Sequence, residues 1–62
     1  MEQKNYRFVA LNGKGQEIEL EFGNGVFSDI TMDEARGLRM GLEIGLLKKY
    51  KDVQVHFYEV KE

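Results

Sequence analysis

"NYRFVALNGKGQEIELEF", residues 5 to 22, carries two runs of alternating apolar and polar side chains on either side of a glycine-bearing turn. The second run alternates without a break. Ile18, Leu20 and Phe22 fall on one side and Glu17, Glu19 and Glu21 on the other, the period-two pattern of a half-buried strand. Two turns compete between the runs. A two-residue turn at Asn12 and Gly13 would mix Arg7 with Ile18 on one face. A three-residue loop, Gly13-Lys14-Gly15, has Gly15 in the left-handed position of a bulge. It sets Tyr6, Phe8 and Ala10 on the face of Phe22, Leu20 and Ile18, and places Arg7 opposite Glu21 as a favourable cross-strand pair. The longer loop is the consistent choice.

Working outward, "GNG" at 23 to 25 breaks the second strand, and "VFSDI" leads into a helix. Thr31 and Glu34 match a capping box, in which the hydroxyl and the carboxylate each satisfy a backbone N–H with no partner inside the helix. Ile30 and Ala35 occupy the staple positions around that cap. Asp33 and Glu34 at the start, with Lys48 and Lys49 at the end, complement the helix dipole. The helix is expected over 32 to 50. "VQVHFYEV", 53 to 60, reads as a third strand, with Val53, Val55 and Phe57 on one face and Gln54, His56 and Tyr58 on the other. The element order is β-β-α-β. Placing the third strand antiparallel beside the first gives an α+β domain of two layers, a three-stranded sheet of order 2-1-3 with one helix across one face. If the second and third strands are parallel, the crossover between them is right-handed. Residues 1 to 62 form one small domain.

Its composition narrows the chemistry. A chain of 62 residues buries only about 60% of the surface its unfolded form exposes. There is no cysteine and one histidine, so disulfides and thiolate metal sites are excluded. Stability has to come from the core, from oligomerisation, or from both. Arg39 and Glu43 interrupt the apolar helix, which excludes a membrane-spanning reading of its glycine pattern. The first residues, "MEQKNYRF", lack the basic-then-apolar order of a signal peptide, so a cytoplasmic location is expected. A formal net charge of -2 gives no electrostatic reason to expect nucleic acid.

"ARGLRMGLEIGLL", 35 to 47, places Gly37, Gly41 and Gly45 inside the helix. Each interior glycine costs about 1 kcal/mol relative to alanine. At 100° per residue the three are offset by about 40° per step and form one stripe. A bare ridge would let the rings of Tyr6, Phe8, Phe22 and Phe57 approach the helix backbone, and packing against that aromatic sheet is the first expectation. A helix–helix contact between subunits is the alternative. Ala35, Leu38, Leu42 and Leu46 lie on one flank of the stripe, and Met40, Ile44 and Leu47 on the other. This apolar arc exceeds the roughly 100° that a one-sided helix needs, so a homodimer is expected, with Met40, Ile44 and Leu47 at its interface.

Nothing in the chain forms a convergent acid, base, nucleophile or metal set, so catalytic residues, metal ligands and cofactors are not expected. His56 faces away from the core with no serine or cysteine to recruit. "GKG" at 13 to 15 lacks the length and context of a phosphate-binding loop. Ser28, Asp29 and Asp33 match no calcium loop and suit helix capping. The outer sheet face is the expected partner-binding surface. It has Val9, Leu11, His56, Tyr58 and Val60 at its centre, and Arg7 and the Glu17, Glu19, Glu21 row at its rim, an apolar patch with a charged border. The glutamates also blunt edge-to-edge aggregation if their strand lies at a sheet edge. Size and compactness alone suggest a non-enzymatic protein-binding module, a stoichiometric inhibitor or regulator of the kind phages and mobile elements encode. The alternative is a nucleic-acid-binding regulator, with Lys48, Lys49 and Lys51 contacting phosphates.

Overall fold

In the computed structural model, which describes residues 2–20 and 25–61, the elements run β1 (Lys4–Asn12), β2 (Glu17–Ile18), β3 (Val26–Ile30), α1 (Met32–Leu47) and β4 (Val53–Glu59). β1 is the central strand. β4 pairs antiparallel along one side of it, from Tyr6 opposite Glu59 to Asn12 opposite Val53. β2 and β3 both pair antiparallel along the other side. They lie end to end and together act as one sheet position, which gives the expected 2-1-3 order in an α+β fold with one helix.

The β1–β2 turn has the three-residue register. The Asn12 N–H donates to the Gln16 carbonyl and Ala10 stands opposite Ile18. Gly15 has φ +79°, the left-handed conformation that glycine takes without steric cost. The Asn12 carboxamide braces the loop by accepting the backbone N–H groups of Lys14 and Gln16, both at 2.9 Å.

Beyond Ile18 the structure departs from the expected continuous second strand. That register would set Arg7 against Glu21 and Tyr6 against Phe22. The residues found opposite are Val26 and Phe27, so the chain leaves the ladder after Ile18 and rejoins it five residues late. Glu21 and Phe22 lie outside the described residues. Gly25 makes the return possible. Its carbonyl accepts the Phe8 N–H at 2.9 Å, its φ is +79°, and a Cβ there would stand 2.8 Å from the Phe8 carbonyl oxygen. One turn later, Asp29 takes φ +56° and its N–H donates to the Asn5 carboxamide. The register slips by one residue between Lys4 and Tyr6. This bulge lets Phe27 and Ile30, three residues apart, both pack on the core, which an unbroken alternation would forbid.

The core is built of Tyr6, Phe8, Ala10, Ile18, Ala35, Val53 and Val55. Phe8 sits at its centre, edge-to-face with Phe27 at 5.4 Å and tilted against Phe57 at the same separation, while Tyr6 meets Phe57 edge-on. Such ring pairs add to the stabilisation from buried area.

The capping box of α1 forms as expected. Thr31 Oγ1 accepts the Glu34 N–H, and Glu34 Oε1 accepts the Thr31 N–H at 2.9 Å. The helix ends at Leu47 rather than at 50, with Lys48 as its C-cap, so Lys48 and Lys49 follow the last turn instead of forming it. The Lys49 and Tyr50 N–H groups both close on the Leu46 carbonyl. The helix lies over β4 and β1. Its side chains Ala35, Leu38, Leu42 and Leu46 pack on the sheet, within an arc of about 80° on the helical wheel.

That orientation overturns the expected role of the glycine ridge. Among the described residues, a Cβ built on Gly37, Gly41 or Gly45 would meet nothing beyond its own helix backbone within 4 Å, and all three residues are exposed. The aromatic rings of the sheet approach the leucine flank instead. Turning the glycines inward would leave only Leu38 and Ile44 at the margins of the contact. The observed face buries Ala35 fully and Leu38, Leu42 and Leu46 in part, and each Å² of apolar surface so removed from water is worth about 25 cal/mol.

Candidate interaction surfaces

Two surfaces come out of this architecture, one on each side of the molecule. On the outer face of the sheet, opposite α1, the register sets Arg7 beside Tyr58, Val9 beside His56 and Leu11 beside Gln54. On the other side of β1, Val26 stands beside Arg7 and Glu17 beside Leu11. Arg7, Val9, Leu11, Glu17, His56 and Tyr58 are therefore brought together as expected from the sequence. Tyr58 is 50% exposed, and Val9 and Leu11 are half-buried between their neighbours. Val26 joins this face although sequence reasoning placed it in a lead-in to the helix. Its β-branched and aromatic residues, Val26, Phe27 and Ile30, were the signal that could have identified it as a strand.

The glutamate row does not survive as one strand edge. Glu17 belongs to β2, which is only two residues long. Glu19 is exposed just past its end, and Glu21 lies outside the described residues. Glu17 and Glu19 line a shallow cavity with Arg7, Val9, Leu20 and Gly25, where the chain leaves β1.

The second surface is the side of α1 turned away from the sheet. Met40 and Ile44 are each 56% exposed and Leu47 is 46% exposed. The glycine stripe runs beside them. Arg39 and Glu43 are half-buried and bridge each other at 2.7 Å in an i,i+4 ion pair. They overhang the free edge of β4, where they line a depression with Gln54, Val55 and His56.

At the end of the helix, Lys48, Lys49 and Lys51 are all exposed. At the opposite end of the sheet, Lys4 bridges Glu59 at 3.1 Å and approaches Glu2 at 3.9 Å. The hydrogen bond to Glu59, with the charge of Glu2 behind it, holds the Lys4 ammonium above its ordinary pKa of 10.5. Among the described residues no three histidine, aspartate or glutamate side chains converge as a metal-binding group. Asp29 serves the β3 bulge and Asp33 the first turn of α1. No helix among the described residues is long and apolar enough to cross a membrane.

Comparison with protein-family models, with curated proteins and with solved structures returned no match for this chain.

Proposed function

We propose that this chain is a small non-enzymatic protein-binding module that acts as a homodimer, a stoichiometric inhibitor or regulator of the phage or mobile-element type working in the cytoplasm. The observation that carries the reading is the division of surfaces. The sheet has one face committed to the helix, and the other carries a half-exposed tyrosine and two aliphatic side chains bordered by Arg7 and Glu17. Tyrosine gives large contact area and a polar tip at little conformational cost, which suits the centre of an interface. The exposed Met40, Ile44 and Leu47 supply a separate surface for self-association, so partner binding and dimer formation do not compete.

The test compares the wild-type protein with Tyr58→Ala as affinity baits in lysate of the native host. A protein retained by the wild type and lost from Tyr58→Ala, with circular dichroism unchanged, supports the reading. Equal retention by both refutes the sheet face as the site. The exposed Lys48, Lys49 and Lys51 support the second reading, a nucleic-acid-binding regulator. Binding of a duplex DNA or RNA that weakens steeply with salt would favour it, because each phosphate contact releases counterions. Docking through the sheet face has no such steep dependence.

A further inference from the structure

We propose that α1 pairs with α1 of a second copy of this chain, antiparallel, about a twofold axis passing beside Gly41. This rests on the homodimer reading and adds to it the interface and its direction. The outward side of α1 carries apolar side chains, Met40, Ile44 and Leu47, that are about half exposed. Beside them, a Cβ on the glycine stripe would meet nothing within 4 Å among the described residues outside its own helix, so the packing described within the monomer does not account for three residues that weaken the helix.

The charges on the same side identify the occupant. Counting outward from Gly41, glycines stand four residues away in both directions, at 37 and 45. Seven residues away stand Glu34 in one direction and Lys48 in the other. At 100° per residue all five positions lie within a stripe about 80° wide. A twofold axis at Gly41 then places Gly37 against Gly45 of the second copy, and Glu34 against Lys48 of the second copy, at both ends of the contact. Glu34 uses Oε1 in the capping box, which leaves Oε2 to meet an ammonium. Lys48 has no ion-pair partner among the described residues.

A parallel pair would oppose Glu34 to Glu34 and Lys48 to Lys48, and would align the two helix dipoles unfavourably. The antiparallel pair reverses both effects. Exposed ion pairs add little energy, so their part is to set direction, while close approach of the bare ridges and contact of Ile44, which lies about 60° from Gly41 on the wheel, supply the attraction. The contact is about 24 Å long for a helix of 16 residues, at 1.5 Å per residue. One helix pair covers less than the roughly 800 Å² per partner of a standard interface, so the dimer is expected to be concentration-dependent.

Because the chain has no cysteine, introduced thiols are unique. Glu34→Cys and Lys48→Cys proteins are treated with a short bis-maleimide, each alone and mixed. Efficient cross-linking only in the mixture is expected; cross-linking of each variant with itself means a parallel pair and overturns the proposal. Tyr58→Cys serves as the control on the outer sheet face. Gly41→Leu is expected to raise the dimer dissociation constant at least tenfold by sedimentation while the monomer keeps its circular dichroism spectrum, because its own chain leaves room for the side chain. If the unmodified protein sediments as a dimer but neither Gly41→Leu nor the thiol pair reports on it, the interface is elsewhere: this proposal fails and the homodimer stands. A monomer from micromolar to millimolar concentration overturns both.

Discussion

Replacing Gly41 by alanine tests the central correction made by the structure. Glycine in a helix interior is about 0.8–1.0 kcal/mol less favourable than alanine. A tightly packed site would cancel or reverse that gain, because a new methyl group would have to displace its neighbours. At Gly41 no heavy atom of the described residues outside its own helix backbone lies within 4 Å of the added Cβ, so the propensity gain should appear almost whole. In a chain of 62 residues total stability is about 3–9 kcal/mol, which makes 1 kcal/mol a large fraction. It corresponds to a rise of about 4–8 °C in the thermal midpoint. The same reasoning applies to Gly37, so the double variant should gain about twice as much.

The assay is urea unfolding at protein concentrations low enough for the monomer to dominate. There Gly41→Ala should raise the midpoint without changing the slope against denaturant, since the surface exposed on unfolding is unchanged. At high concentration part of the advantage should disappear, because the methyl group widens the spacing of paired helices. A dilute Gly41→Ala protein less stable than wild type would refute the reasoning and return the ridge to the core of its own chain.

Gly25→Ala should destabilise the fold by at least about 2 kcal/mol in the same unfolding assay, combining a left-handed backbone with a Cβ that would contact the Phe8 carbonyl oxygen at 2.8 Å. Lys4 has a raised pKa in the folded state, so the stability it contributes is complete below its unfolded value and is lost as pH rises through the folded one. The thermal midpoints of wild type and Glu59→Gln should therefore converge as pH rises past the ordinary lysine value of 10.5; a constant gap would show that the ion pair is not the cause. Tyr58→Ala should leave the unfolding midpoint nearly unchanged, because the side chain is half exposed, yet cost more than about 2 kcal/mol of partner binding by titration calorimetry. Joint Glu17→Gln and Glu19→Gln replacement should chiefly slow association, measured by stopped flow, since rim charges steer encounter more than they hold the complex.

The features legible in the sequence are those whose partners lie close along the chain. Asn12 and Gln16 close the hairpin within four residues, and Thr31 and Glu34 cap the helix within three. The alternation of 53 to 60 marked β4 and its inward face, and the element order left one simple sheet. Arg7, Val9, Leu11, His56 and Tyr58 could be assigned to one surface because strand parity follows once the hairpin register is known. Tertiary structure decided the rest, by competition among residues with equal local claims. Both "EIELEF" and "VFSDI" carry apolar residues that suit a strand, and only packing around Phe8 places Phe27 next to it, with Gly25 accommodating the close return of the chain. The helix has apolar side chains on two flanks, so periodicity leaves its rotation open. The flank of Ala35, Leu38, Leu42 and Leu46 faces the sheet because it removes more apolar area from water than the glycine ridge does, and the ridge is left outside with Met40, Ile44 and Leu47.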